Sequence, residues 1–300
     1  MVDLSRETVR HIHRCLSKQG YTVAEGPFPT GRPDQLALAA TSRAGLPVIA
    51  KVYPAGRGQI AFANMVEVWR SSFGESRRPP GLPRVIDYLS DPEILIMERV
   101  AGRPLVESPA LDPALLDDAI GLLASLHESD AKPSQVRSSK RIVKSIKRKT
   151  EDSLRLAPDL TETFSQATVE LEERREGDRE LVPSHGDFSP RNVVIGSGRL
   201  VVIDWDRFQI ADPARDVAYL GTWCWAAHVR QGRQPDWSVL DRTVTKYDTL
   251  RPQAAVRERL HFHIAAGLIR IAHSIVESWP TERSAVPRLI QEAVRHLRMG

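Results

Sequence analysis

The chain has 300 residues, 41% hydrophobic and 27% charged, with 42 Lys and Arg against 38 Asp and Glu for a net charge of +4. This is the composition of an ordinary soluble globular protein, too long for one hydrophobic core and so expected to form two lobes, with a charge well short of a dedicated nucleic-acid binder. Cys15 and Cys224, the only cysteines, exclude a disulfide framework and a four-sulfur zinc site. No apolar run reaches the roughly 20 residues of a membrane span, and Asp3, Arg6 and Glu7 interrupt any signal-peptide core. The expectation is a cytoplasmic protein with neither a membrane nor a nucleic-acid partner.

Leu4, Val9, Ile12 and Leu16 fall at loose helical spacing closed by Gly20, and Tyr21 to Ala24 reads as a strand. Residues 25–33 form a Pro- and Gly-rich loop that includes Thr30 and Gly31 but is not a Gly-x-Gly-x-x-Gly. Leu36 to Ala40 and Pro47 to Tyr53, joined by Ser42-Arg43-Ala44-Gly45, predict a hairpin with Lys51 inside its second strand. Ile60, Phe62, Met65, Val66, Trp69 and Phe73 mark a helix over 59–72, which carries Glu67, sixteen positions after Lys51. Val85 to Leu89 and Glu93 to Met97 read as two further strands, followed by Glu98-Arg99-Val100-Ala101 and the breakers Gly102 and Pro104.

Asp112-Pro113 opens a helix that runs to Leu126-His127. From Arg137 to Lys149 there are seven Lys and Arg and no acid, and Ile142 and Ile146 stand four apart, so the plain reading is a basic amphipathic helix. Glu170 to Glu180 answers with six acids against three arginines, either packed on that helix or solvated. Val217 to Val229 and Arg257 to Trp279 are helical in character. Trp205, Trp223, Trp225 and Trp237 read as core before pocket, and Arg259, His261, His263 and Arg270 are candidates to reach an acceptor.

The densest chemistry lies between Ser184 and Leu220. His185-Gly186-Asp187 is followed five positions later by Asn192; then Val193 to Ile195 and Leu200 to Ile203, around Gly196-Ser197-Gly198-Arg199, predict a hairpin that ends at Asp204. Phosphoryl transfer needs a carboxylate to take the hydroxyl proton, an amide oxygen on magnesium, and a second carboxylate bridging magnesium to nucleotide phosphates. Asp187, Asn192 and Asp204 supply these groups in that order, and a hairpin would return Asp204 to the side of Asn192. His185 reads as a loop brace, as do Asp212 and Asp216 of Asp-Pro-Ala-Arg-Asp; Asp206 is either a contact to a second metal or solvated.

His-Gly-Asp-Phe-Ser-Pro-Arg-Asn, Val-Ile-Asp-Trp-Asp and Asp-Pro-Ala-Arg-Asp resemble the motifs of the aminoglycoside phosphotransferase and choline kinase-like family. Ser189 where protein kinases carry Lys, Trp205-Asp206 in place of Phe-Gly, and the lack of Ala-Pro-Glu separate the chain from eukaryotic protein kinases. The resemblance implies an α+β, bilobal protein kinase-like fold. An N-terminal antiparallel sheet lobe with one packed helix would span residues 1–98, a hinge 99–104, and a larger, mostly helical catalytic and acceptor-binding lobe 105–300. It also implies ATP, or GTP, with Mg2+. Asp187 would be the base and Asn192 and Asp204 the metal ligands; Lys51 would hold the α and β phosphates, paired with Glu67. The amides of Thr30 and Gly31 would cover the phosphates, and Met97, Glu98 and Val100 would line the adenine. The acceptor expected is a hydroxyl on a small molecule, antibiotic or metabolite, with a hydroxyl on an acidic peptide or a nucleotide-binding scaffold without turnover as the alternatives.

Overall fold

In the computed structural model the residues described are 6–24, 36–76, 81–107, 111–175, 177–196 and 198–300. The chain divides into two compact units, residues 1–103 with 194–206, and residues 104–193 with 207–300.

The first unit opens with helix α1 (Arg6–Lys18) and strands β1 (Thr22–Val23), β2 (Leu36–Thr41) and β3 (Pro47–Val52). Helices α2 (Gly58–Arg70) and α3 (Ser72–Ser76) follow, then β4 (Val85–Ser90), β5 (Glu93–Glu98) and β6 (Gly102–Pro104). β1 to β5 form an antiparallel sheet in the order β1-β2-β3-β5-β4. Alternation along β2 and β3 sends Leu36, Leu38, Val48 and Ala50 to one side, where Ile12 and Leu16 of α1 join them in a core with Ile94 and Ile96. The sheet thus carries α1 in addition to the expected α2, which buries Ala61, Met65 and Val68.

Arg57, at the start of α2, offers no side-chain cap. Glu93 of β5 does that work, accepting from the amides of Gly56 (2.6 Å), Gly58 (2.5 Å) and Gln59 (3.3 Å). A carboxylate there satisfies orphan amides and complements the helix dipole.

The second unit is mostly helical: α4 (Pro113–His127), β7 (Val136–Arg137), α5 (Ser139–Leu156), α6 (Thr161–Glu173) and β8 (Val182–Ser184). The predicted hairpin is present as β9 (Val193–Gly196) and β10 (Arg199–Val202). After it come β11 (Gln209–Ala211), α7 (Ala214–Arg230), α8 (Ser238–Leu250), α9 (Leu260–Ser278) and α10 (Val286–Met299). β7, β11 and β8 form a small sheet in which β11 runs parallel to β7 and antiparallel to β8.

The hairpin differs from the expected boundaries, because residues 194–206 group with the first unit instead of with 105–300. The cause is local pairing: β10-β9-β6 is one sheet, the Val202 amide donates to the Gly81 carbonyl at 2.8 Å, and the ring of Trp205 lies 5.9 Å from that of Phe73. The acidic stretch after residue 169 is not a separate solvated arm. Its first part belongs to α6, where Glu172 pairs with Lys147 of α5 and Glu170 with Arg298 of α10 (2.7 Å). Among the described residues no helix is long and apolar enough to cross a membrane.

His273 of α9 is buried between α5 and α6, with Nε2 at 3.0 Å from the Thr150 hydroxyl and its ring stacked on Phe164 at 4.9 Å. Burial, with Lys149 adding to it, pushes its pKa down to about 3. The unfolded chain therefore binds a proton that the folded chain refuses between about pH 6.5 and 3, and stability is lost as pH falls through that window at roughly 1.4 kcal/mol per unit. Urea unfolding of His273→Gln at pH 7 and 4.5 is expected to show a smaller drop than wild type; an unchanged drop refutes the assignment.

Candidate active site

The first unit holds one set of charged groups. Lys51 is the penultimate residue of β3, the central strand of the sheet, opposite Ala37 on one side and Leu95 on the other. Its ammonium donates to Oδ1 of Asp204 at 2.6 Å and to Oδ2 of Asp206 at 2.9 Å, and the Tyr53 hydroxyl donates to Oδ1 of Asp206 at 2.7 Å. Burial pulls the Lys51 pKa down, but Asp204, then Asp206 and Tyr53, outweigh it and hold the pKa well above the ordinary lysine value. The ammonium is therefore a permanent charge.

Asp204 has φ of 66°, a left-handed conformation that costs a non-glycine residue about 1–2 kcal/mol. Trp205 over-determines it. The indole is 1% exposed, its Nε1 donates to the Val202 carbonyl at 2.9 Å, and its own carbonyl accepts from Nδ2 of Asn64 at 3.3 Å. Trp205 is thus a core anchor that aims the carboxylates on either side of it. Among the described residues Oδ2 of Asp204 accepts no hydrogen bond, and the side chain is 27% exposed. That is a charged hard oxygen of the kind magnesium takes.

Asp206, which the sequence left between metal and solvent, braces Lys51 and Tyr53. Glu67 is half-buried on α2, and the two described hydrogen bonds of the Lys51 ammonium go to Asp204 and Asp206. Met97 and Glu98 end β5. The Glu98 amide donates to the Arg84 carbonyl at 2.8 Å, its carboxylate pairs with Arg199, and the Arg99 amide donates to the Pro47 carbonyl at 3.2 Å just before Val100. Thr30 and Gly31 lie outside the described residues.

The second unit holds the other set. β8 delivers His185-Gly186-Asp187 into a tight loop. Gly186 has φ of 78°, and a Cβ there would run into the Arg207 carbonyl and come within 2.7 Å of Nε2 of Gln209, so only glycine fits. The Gly186 amide donates to Oδ1 of Asp216 at 2.9 Å. Asp216 also lies 3.5 Å from Nε2 of His127, whose Nδ1 is 2.6 Å from the Tyr247 hydroxyl. His185 accepts the Asp187 amide on Nδ1 at 3.3 Å. Asp212 accepts the Ala214 amide at 2.9 Å and pairs with Arg259 at 2.5 Å, so both carboxylates of Asp-Pro-Ala-Arg-Asp brace the loop.

The Asp187 side chain is 4% exposed and enclosed by guanidinium groups: Arg270 at 3.0 Å, Arg191 at 3.1 Å and Arg207 at 3.9 Å. Burial would raise its pKa, but Arg207, Arg270 and Arg191 reverse that and hold it far below the ordinary carboxylate range. The group therefore stays ionised. Asn192 donates from Nδ2 to the Asp187 carbonyl at 2.9 Å, which fixes the orientation of its amide and of the side-chain oxygen.

Sequence reasoning named Arg270 only among several candidates and missed Arg191 and Arg207 altogether. Arg191 stands four residues after Asp187, a spacing that was readable; Arg207 and Arg270 meet Asp187 only through the tertiary fold. Arg259 and His263 face Asp212, and His261 contacts His296.

The sequence model of the phosphotransferase enzyme family matches residues 34–252. No curated protein matches the chain. Among solved structures, the choline kinase of Cryptosporidium parvum Iowa II is similar with a TM-score of 0.70 at 12% identity, over 97% of this chain and 96% of that one. A thermostable mutant of aminoglycoside phosphotransferase APH(4)-Ia, solved with ADP and hygromycin B, is similar with a TM-score of 0.67 at 17% identity, over 94% and 97%. An aminoglycoside-3'-phosphotransferase of type VIII is similar with a TM-score of 0.61 at 23% identity, over 85% and 95%. These likenesses bear out the bilobal kinase-like fold.

Gly186→Ala combines a left-handed backbone with a clash against backbone, which together cost about 2–4 kcal/mol. A urea midpoint at the wild-type value would show that the loop yields where the geometry says it cannot.

Proposed function

The chain belongs to the phosphotransferase enzyme family, and from that premise we propose that it moves the terminal phosphate of ATP, or of GTP, to a hydroxyl of a small molecule. The observation that carries the reading is Lys51, held against Asp204 and Asp206 at 2.6 and 2.9 Å in the first unit. A buried ammonium beside a strained carboxylate is costly as mere scaffolding, and it suits a triphosphate and its cation, which need one fixed positive charge and one hard anionic ligand.

The roles follow from the chemistry of each group. Lys51 binds the α and β phosphates, its ammonium braced among the described residues by Asp204 and Asp206 and not by Glu67, the partner expected from the sequence. Asn192 and Asp204 hold magnesium, which when bound neutralises charge on the phosphates being transferred. Asp187 takes the acceptor hydroxyl as a hydrogen bond and points its lone pair at the phosphorus. With its pKa so low it does not remove the proton ahead of transfer; the proton passes to the Asp187 carboxylate late, once the new phosphorus–oxygen bond has largely formed and the bond to the leaving diphosphate has broken. Met97, Glu98 and Val100 form the adenine wall, and Thr30 and Gly31 the phosphate cover. Support from the relatives is that one aminoglycoside phosphotransferase of this fold has been solved with ADP and hygromycin B.

Asp187→Asn and Asp204→Ala are each expected to lower transfer by about 10² to 10⁴-fold or more with the fold retained. The two separate on nucleotide: Asp204→Ala loses the magnesium-dependent thermal stabilisation by ATP, and Asp187→Asn keeps it. Near-normal phosphorylation by either variant, followed as ADP formed with an accepted hydroxyl compound, overturns these assignments.

A further inference from the structure

The second unit gathers more positive charge around the catalytic loop than its carboxylates balance. Asp187 and Asp216 are met there by Arg191, Arg207, Arg215 and Arg270. Arg215 is buried and donates to the Gly186 carbonyl at 3.3 Å; Arg270 donates to the same carbonyl at 2.9 Å and lies over the Tyr219 ring at 3.9 Å.

A fifth guanidinium joins them from a different element. Arg137 ends β7, paired in the sheet with Ala211 of β11, four residues beyond Arg207. It is partly buried, and among the described residues its side chain has neither a hydrogen bond nor a carboxylate partner. Burial, and then repulsion from Arg270, Arg207, Arg148 and Arg141, lower its pKa. The acid that lies at this end of α5, Asp178, accepts the Ser139 amide at 2.8 Å.

Resting on the phosphotransferase reading above, we propose that the acceptor is an anion. It would carry a carboxylate or phosphate group beside the hydroxyl that Asp187 aims, and Arg137, Arg207 and Arg270 would bind that group. Of the residues given to the nucleotide and its magnesium, Lys51, Asp204, Met97, Glu98 and Val100 belong to the first unit and Asn192 alone of those named to the second, whereas this cluster lies wholly in the second. Guanidinium groups hold carboxylate and phosphate oxygens in pairs of hydrogen bonds. A cationic acceptor would meet these five guanidinium groups, with Asp187 and Asp216 the carboxylates set directly against them, so discrimination runs against polyamines and quaternary amines.

The test uses four sugar-sized probes on the intact protein saturated with AMP-PNP and magnesium, read by calorimetry: gluconate, glucose 6-phosphate, glucose and glucosamine. Gluconate or glucose 6-phosphate is expected to bind about tenfold or more tightly than glucose, more weakly as salt is raised, and glucosamine least. Whichever anion binds distinguishes a carboxylate from a phosphate subsite. Arg137→Gln should lose the preference while Arg137→Lys keeps part of it, with affinity for AMP-PNP unchanged in both. Binding by neither anion, glucosamine binding as well as gluconate, or an anion preference that survives Arg137→Gln overturns the proposal. So does anion binding that is seen only without AMP-PNP, which would give the cluster to the nucleotide's terminal phosphate. A chain that binds the anions but never AMP-PNP keeps this subsite and instead refutes the phosphotransferase reading.

Discussion

A carboxylate taken almost wholly out of water remains charged only when cations come with it, and Asp187 obtains them from three parts of the chain. Arg191 lies in the turn after it, Arg207 just before β11, and Arg270 midway along α9. Breaking such a buried arrangement at one partner costs about 3–5 kcal/mol. The loop of Gly186 and Asp187, the small β7-β11-β8 sheet and the long helix α9 are therefore tied to one another by electrostatics as well as by packing. This is why Gly186 must be glycine: the loop comes so close to the Arg207 backbone that no side chain fits between them. It is also why Asp216 and Asp212 are spent on amides and on Arg259 instead of on chemistry.

The first unit solves a related problem with opposite signs. There the buried ion is the ammonium of Lys51, and the groups that keep it charged are Asp204, Asp206 and the Tyr53 hydroxyl. The ribbon β9-β10 brings two of these to the sheet, and Trp205 between them fixes their directions by filling core against Phe73. One apolar residue thereby sets the aim of two charged ones. The left-handed backbone of Asp204 is tolerated because Trp205 on its C-terminal side is buried and held through both its indole Nε1 and its backbone carbonyl, so relaxing the strain would expose the ring.

Much of this was legible in the linear sequence, and the reasons are physical. Lys51 was visible because a lysine flanked on both sides by strand-forming residues resembles the phosphate-pairing lysine of kinase strands. Asp187, Asn192 and Asp204 were visible because turn chemistry and strand runs separated them at fixed intervals. The hairpin over 193–203 was visible for the same reason, but not its allegiance to the first unit, since strand pairing with β6 is a long-range event. Helix α8 was missed because polar residues dominate it. Helix α10 had a signal in Leu289, Ile290, Ala293 and Leu297, spaced for one buried face, that went unread. The guanidinium enclosure of Asp187 could not be read, because an arginine far along a chain carries no mark of the carboxylate it will meet.

The basic run 137–149 shows the same limit most clearly, since as a composition it is one feature and as a structure it is several. Ile142, Val143 and Ile146 bury one side of α5, and Thr150 continues that side to His273. Lys147 and Lys149 sit on flanks where acids wait for them, Glu172 of α6 and Glu277 of α9. Arg141 donates to the Val136 carbonyl at 2.6 Å and closes the turn into the helix. Arg137, set in the sheet beside β11, is carried toward Arg207 and Arg270. Charge counted along the chain says nothing about these different fates; they are decided by which strand each residue borders and which helix face it occupies. A net charge of +4 spread over the molecule would be unremarkable, but guanidinium groups gathered about the loop of Gly186 and Asp187 are a local property that the fold creates.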